Sequence, residues 1–216
     1  EWSSRWISQF SSLHFYGKKL FQFKWFRIPF QFLTKPLIAL FLFNGMFSFY
    51  HVPFIFDFIK MNIFIHAAYT TLLFLSALIM WWPLVNEVEF DNRLSGLRKI
   101  GYIFADGVLL TPACALIIFA DTPLYATYTE LSAWTKSLEL CVPPSVLQTL
   151  SLSGPEMFNS MPLIHDQQLG GVLMKVIQEI AYGVVLFHVF FEWYRKEEEE
   201  AAKEQERNPF NPRTVE

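Results

Sequence analysis

The sequence predicts an all-α membrane protein, a polytopic bundle of about four transmembrane helices. Three observations predict it. The 216 residues are 53% hydrophobic and 18% aromatic, with 24 Phe and 7 Trp, more apolar material than one water-soluble core of this size needs. The apolar residues fall into blocks of about 20, the helical length that crosses roughly 30 Å of hydrocarbon while pairing every backbone group internally. Lysine and arginine concentrate in alternate connections between the blocks, as in a chain threaded back and forth across a membrane.

Segment 1–35 alternates aromatic and basic residues (Phe21, Lys24, Trp25, Arg27), which fits a helix or loop lying on an anionic cytoplasmic leaflet. Nucleic acid would suit the same pattern, but the membrane context excludes it as a partner. The segment lacks the apolar centre of a cleavable signal. The chain opens on Glu1-Trp2 without Met, an opening expected of a sequence whose N-terminal residues are missing.

The transmembrane bundle is expected over 36–195. Span one runs from Leu37 to Phe56, after Lys35-Pro36, a charged stop followed by a residue suited to a first helical turn. Span two covers Ile63 to Leu84 and ends in Trp81-Trp82-Pro83, aromatic rings of the kind that settle among headgroups. Span three, Ile100 to Ala120, carries Asp106 and Pro112. Span four, Leu169 to Trp193, carries Lys175, Glu179 and His188 and stops at Arg195-Lys196. Within the connection 121–168, residues 131–150 predict a short interfacial helix and a turn at Pro143-Pro144. The tail 196–216, with four consecutive glutamates, reads as a charged helix end running into disorder.

Six basic residues precede span one, from Arg5 to Lys35, and Arg93, Arg98 and Lys99 lie between spans two and three. The turn between spans one and two has only Lys60, and the long connection 121–168 only Lys136. The positive-inside rule therefore places both termini in the cytoplasm and 121–168 outside. The formal charge of −3 carries less information than this distribution.

With that orientation, helical rise sets depth. His51 falls in the outer third of span one, His66 in the first turn of span two, Cys114 in the outer third of span three, and Asp166 just before span four beside His165. Four potential ligands from four spans share one outer layer. Two imidazoles with a thiolate or carboxylate suit copper or zinc, and soft donors favour Cu(I); Met157, Met161 and Met174 add thioethers from the same side. No pair has a diagnostic spacing, so histidines satisfied by neighbouring helices are the plain alternative. Two cysteines, Cys114 and Cys141, make no disulfide framework, and their spacing does not decide whether they pair.

A second group is charged. Lys175 and Glu179 lie one turn apart on one face, and Asp106 lies at comparable depth. Such groups are costly in hydrocarbon and face the bundle interior in pairs. A salt-bridge cluster that fixes packing is the plainer reading, a proton or ion pathway the sharper one. Gln167, Gln168 and Gln178 can complete hydrogen bonds around either site, and Gly170-Gly171 predicts a close helix approach or a helix entry bend. No phosphate-cradling loop, Ser-His-Asp order or CxxC pair occurs, so no catalytic residue and no enzymatic activity are expected.

Several strings together resemble one family. Lys35-Pro36 leads to Phe43-Asn44-Gly45 and Tyr50-His51-Val52-Pro53, followed by His66 and Trp81-Trp82-Pro83-Leu84; then come Ala105-Asp106-Gly107, Ser153-Gly154-Pro155-Glu156 and Asp166-Gln167-Gln168-Leu169-Gly170-Gly171-Val172-Leu173-Met174. They resemble the CtaG family of cytochrome c oxidase assembly factors from Gram-positive bacteria, over nearly all of 30–195. The resemblance implies a multi-pass plasma-membrane protein that helps copper reach the catalytic subunit of a haem-copper oxidase, with an oxidase subunit, the lipid bilayer and other copper chaperones as partners. It carries recurrent polar positions onto His51, His66, Asp166 and Gln167, with Met174 deeper; Cys114 is added on depth alone. The family has further N-terminal spans, including a His-Met-x-x-His element, which this chain does not match. Two other functions compete with copper delivery: a metal-free scaffold for oxidase subunits or haem, and a small ion or proton transporter using Asp106, Lys175 and Glu179.

Overall fold

The computed structural model describes residues 24–85, 94, 96–147 and 161–207. Over these residues the chain is helical and contains no strand. Met157 and the string Ser153-Gly154-Pro155-Glu156, like 1–23 of the aromatic-basic segment, lie outside them.

Helices α1 (Lys24–Leu33) and α2 (Pro36–Tyr50) meet at a 75° bend. Pro36 pushes Lys35 out of helical geometry (φ −59°, ψ 129°), and the buried Thr34 hydroxyl donates to the Phe30 carbonyl at 2.8 Å. The same chemistry acts at the other end of α2: Val52, before Pro53, is extended (φ −66°, ψ 124°) and a separate helix α3 (Pro53–Lys60) begins. The expected continuous span from Leu37 to Phe56 is therefore corrected. At 15 residues, α2 reaches only about 22 Å and falls short of the hydrocarbon thickness alone.

Among the described residues, three helices are long and apolar enough to cross a membrane, and a fourth span exists if the bent α1–α2 pair counts as one. The three are α4 (Ile63–Val85), α5 (Leu97–Ile118) and α9 (Leu163–Arg207). Asn62 caps α4, its side-chain oxygen accepting from the Phe64 amide at 2.9 Å, while Thr70 and Thr71 return their hydroxyls to the His66 and Ala67 carbonyls. Gly96 opens α5 at φ +44°, and a Cβ there would sit 2.8 Å from the Trp193 ring, so backbone and space both require glycine. Among the described residues between α5 and α9 lie three short helices, α6 (Ala126–Thr129), α7 (Leu131–Leu138) and α8 (Pro144–Leu147), in the place where an interfacial helix and turn were expected.

The helix α9 is 45 residues long, about 68 Å, more than twice a bilayer core. The charged tail is helical through Arg207, a charged helix end as expected; the residues after it, where disorder was expected to follow, lie outside the described residues. Its Glu, Ala, Lys and Gln residues are strong helix formers that extend an existing helix without a new nucleus. Pairs one turn apart, Lys196 with Glu192 at 2.6 Å and Trp193 with Glu197 at 3.0 Å, support it.

Leu40, Met80, Leu84, Tyr102, Ile103 and Val189 form the apolar centre where α2, α4, α5 and α9 meet. The Tyr102 hydroxyl donates to the Met80 carbonyl at 2.9 Å. Toward the His51 end, a Cβ on Gly171 would stand 2.9 Å from Ile117, so α9 rides on α5 as the paired glycines predicted; the space beside Gly170 is open.

Candidate functional site

His51 ends α2. Its Nδ1 lies 2.7 Å from the Phe47 carbonyl, and because a carbonyl only accepts, Nδ1 carries the proton and Nε2 keeps its lone pair. The ring sits between Phe47 and Tyr50, with centroids 4.5 and 5.3 Å away. Tyr50 stacks on Tyr69 of α4 at 5.6 Å, and Tyr69 donates to the Met46 carbonyl at 2.8 Å. His66 lies one turn before Tyr69 on α4. The His66 Nδ1 is buried and has no hydrogen-bond partner among the described residues.

The connection after α5 is stitched over this end. The Tyr125 hydroxyl donates to the His51 carbonyl at 3.0 Å, and its ring packs on Phe56 at 4.3 Å. Asp57 of α3 accepts from the Ala126 amide at 3.0 Å and the Thr127 amide at 3.4 Å. From α9, Gln167 accepts from the Leu124 amide at 2.7 Å and Gln168 donates to the Ala120 carbonyl at 3.0 Å. Burial first, then the neighbouring Tyr128, Asp57 and Tyr50, pushes the Tyr125 phenol well above its ordinary range, so it stays a donor. Asp166, in the first turn of α9, acts electrostatically on Tyr128, whose ring is 6.4 Å from that of Tyr125.

His51 and Asp166 thus lie at one end of the bundle, linked through Tyr125 and Tyr128, and His66 opens α4 at the same end. Cys114 is buried on α5, within electrostatic reach of Lys175 and Glu179, and Met174 lies half-buried two turns below Asp166. Among the described residues no three His, Cys, Asp or Glu side chains gather as ligands for one metal ion. Both cysteines are free, Cys114 buried and Cys141 exposed.

Sequence reasoning passed over three residues here. Lys60 lies within electrostatic reach of both the Cys141 thiol and the His66 imidazole; burial pushes its ammonium below the usual lysine range, with Cys141 opposing. Asp57 and Tyr125 bind the connection to α3. The exposed Cys141 was visible as a thiol in an external connection, whereas nothing in the spacing tied Asp57 to a segment some 70 residues away.

The charged residues divide differently from expectation. Asp106, 2% exposed, accepts from the Asn44 amide at 2.5 Å and from the Tyr182 hydroxyl, joining α5 to α2 and α9; Asn44 also donates to the Leu40 carbonyl at 2.9 Å. Lys175 and Glu179 pair with each other at 2.6 Å, and Lys175 donates to Thr111 at 2.9 Å. Asp106 therefore does not join their ion pair. Its partners are neutral donors, one of which, Tyr182, the sequence reading missed. Gln178, expected near these groups, donates to the Gly107 carbonyl at 3.5 Å.

Comparison with curated proteins and with solved structures finds no match. The sequence model that does match describes the cytochrome c oxidase caa3 assembly factors, over residues 12–196. That interval takes in α1 to α8 and all of α9 as far as Lys196. With its bundle of apolar helices and a match across most of its length, the chain belongs to the cytochrome c oxidase caa3 assembly factor (Caa3_CtaG) family.

Proposed function

We propose that this chain is a non-enzymatic factor that passes copper to a haem-copper oxidase subunit at the outer face of the plasma membrane, with both chain ends cytoplasmic. The observation that carries the reading is the His51 imidazole. Its Nδ1–H is committed to the Phe47 carbonyl at 2.7 Å, the arrangement by which proteins fix a histidine tautomer and leave Nε2 as the metal donor. His66, in the first turn of α4, is the second nitrogen ligand, with its buried Nδ1 unpartnered among the described residues.

The donor set suits a passing cargo. A closed resident site gathers three or four ligands; on this reading His51 and His66 are two donors, Cu(I) accepts two, and a two-donor site releases its ion to a receiver that offers more. The exposed Cys141 beside Lys60 and the half-buried Met174 supply soft donors along an entry or exit route. Titration of the purified full chain with Cu(I) against a competing chelator tests this. Stoichiometric binding is expected, weakened about 10- to 100-fold in H51A/H66A; undiminished binding by the double variant removes both residues from the site.

The absence of a three-ligand group among the described residues favours a second reading, a scaffold that holds oxidase subunits without touching copper. On that reading H51A/H66A leaves copper loading of the oxidase intact.

A further inference from the structure

We propose that a second copy of this chain docks on the groove between α5 and α9, through reciprocal ion pairs between Lys175 of each copy and the partner's Glu179. The groove, a cavity of about 180 Å³, is lined by Gly107, Thr111, Lys175, Glu179, Tyr182 and Gly183. It lies on the apolar part of α9, with Glu179 about 21 Å along the axis from Trp193 at 1.5 Å per residue. The exposed side chains around it are hydrocarbon-facing, among them Val176, Ile180, Val184 and Phe187.

An ion pair at that depth needs cover. The Lys175 and Glu179 side chains are 24% and 59% exposed, and lipid tails offer no hydrogen bonds to a charged group. Lys175 has three N–H donors, of which Thr111 takes one and Glu179 Oε1 another. Among the described residues the third donor and Glu179 Oε2 have no partner. One spare donor and one spare acceptor remain, so the patch is complementary to itself.

A two-fold axis along the membrane normal pairs such patches isologously, each donor meeting the other copy's acceptor. Lys175 and Glu179 are offset by one turn, about 5.4 Å, which a lysine side chain spans. The backbones can approach: Gly183 has nothing within 4 Å of where its Cβ would be, and small residues let membrane helices cross closely. Each half is already neutral; what the four-residue ring adds is a partner for the spare donor and the spare acceptor that lipid leaves unpaired.

The test uses the full chain in lipid nanodiscs, with Cys141→Ser so that only an introduced thiol on the surface reports. Gly183→Cys is expected to form disulfide dimers at least tenfold more than Ile177→Cys, which is also exposed but points about a third of a turn away. Photobleaching steps are expected to count two copies for the parent chain and one for either K175E or E179K alone. A co-reconstituted mixture of K175E and E179K restores pairs, which also shows that both variants fold. A monomeric parent chain overturns the proposal, since any cover then comes from another protein. Dimers that persist in both single variants, or a mixture that stays monomeric, overturn it equally.

Discussion

Asp106 on α5 and the Lys175–Glu179 pair on the adjoining α9 are treated in opposite ways. Asp106 is almost wholly buried and takes its hydrogen bonds from α2 and α9, so it holds three helices in one arrangement. Lys175 and Glu179 pair within α9 and turn half outward. The difference teaches that a charge within an apolar span does not by itself announce a core contact. What decides is which face of the helix the residue occupies, and whether neutral donors from other helices reach it.

The comparison breaks most visibly at Asp106. D106A leaves the Asn44 amide and the Tyr182 hydroxyl buried without their acceptor, so the bundle is expected to lose about 3 kcal/mol, from a penalty of roughly 1–3 kcal/mol for each orphaned group. Denaturant unfolding in mild detergent measures it, and a loss below that of an exposed substitution would deny the node its role. Next in size is Gly171→Leu. Its Cβ alone would meet Ile117 at 2.9 Å, so α9 must move from α5 at a cost of about 1–3 kcal/mol, read by the same unfolding assay. Y182F removes one of the two donors and is expected to cost about 1 kcal/mol. Smallest is E179Q, which keeps a hydrogen-bonding group beside Lys175 within one helix and should alter unfolding by less than about 1 kcal/mol. If E179Q destabilised the isolated chain as much as D106A, the contrast between the two regions would vanish.

Most of the fold was legible because its signals are local. Hydrophobic block length gives α4, α5 and α9, and the Gly171 approach follows from residue size. Proline chemistry was readable too, but its consequence was underestimated: Pro53 does at His51-Val52 what Pro36 does at Lys35, and it divides the expected first span. The charged helix end was legible, but its reach to Arg207 was not: it rests on attachment to a long nucleated helix and on pairs such as Lys196–Glu192. At the candidate site, depth along the spans was enough to place His51, His66 and Asp166 at one end. The groups that connect them, Tyr125 to the His51 carbonyl and Asp57 to the Ala126 amide, come from pairings across some 70 residues that no periodicity encodes. Rotation about each helix axis, which sends Cys114 toward Lys175 and Glu179, was likewise invisible to an argument from depth.

Whether histidines on the α2–α4 seam hand over copper is tested most directly in the oxidase. Cells whose only copy of this protein is H51A/H66A should assemble an oxidase deficient in copper, while the variant accumulates in the membrane at the parent level. An oxidase with its full copper complement in those cells would contradict the account and leave the chain a scaffold.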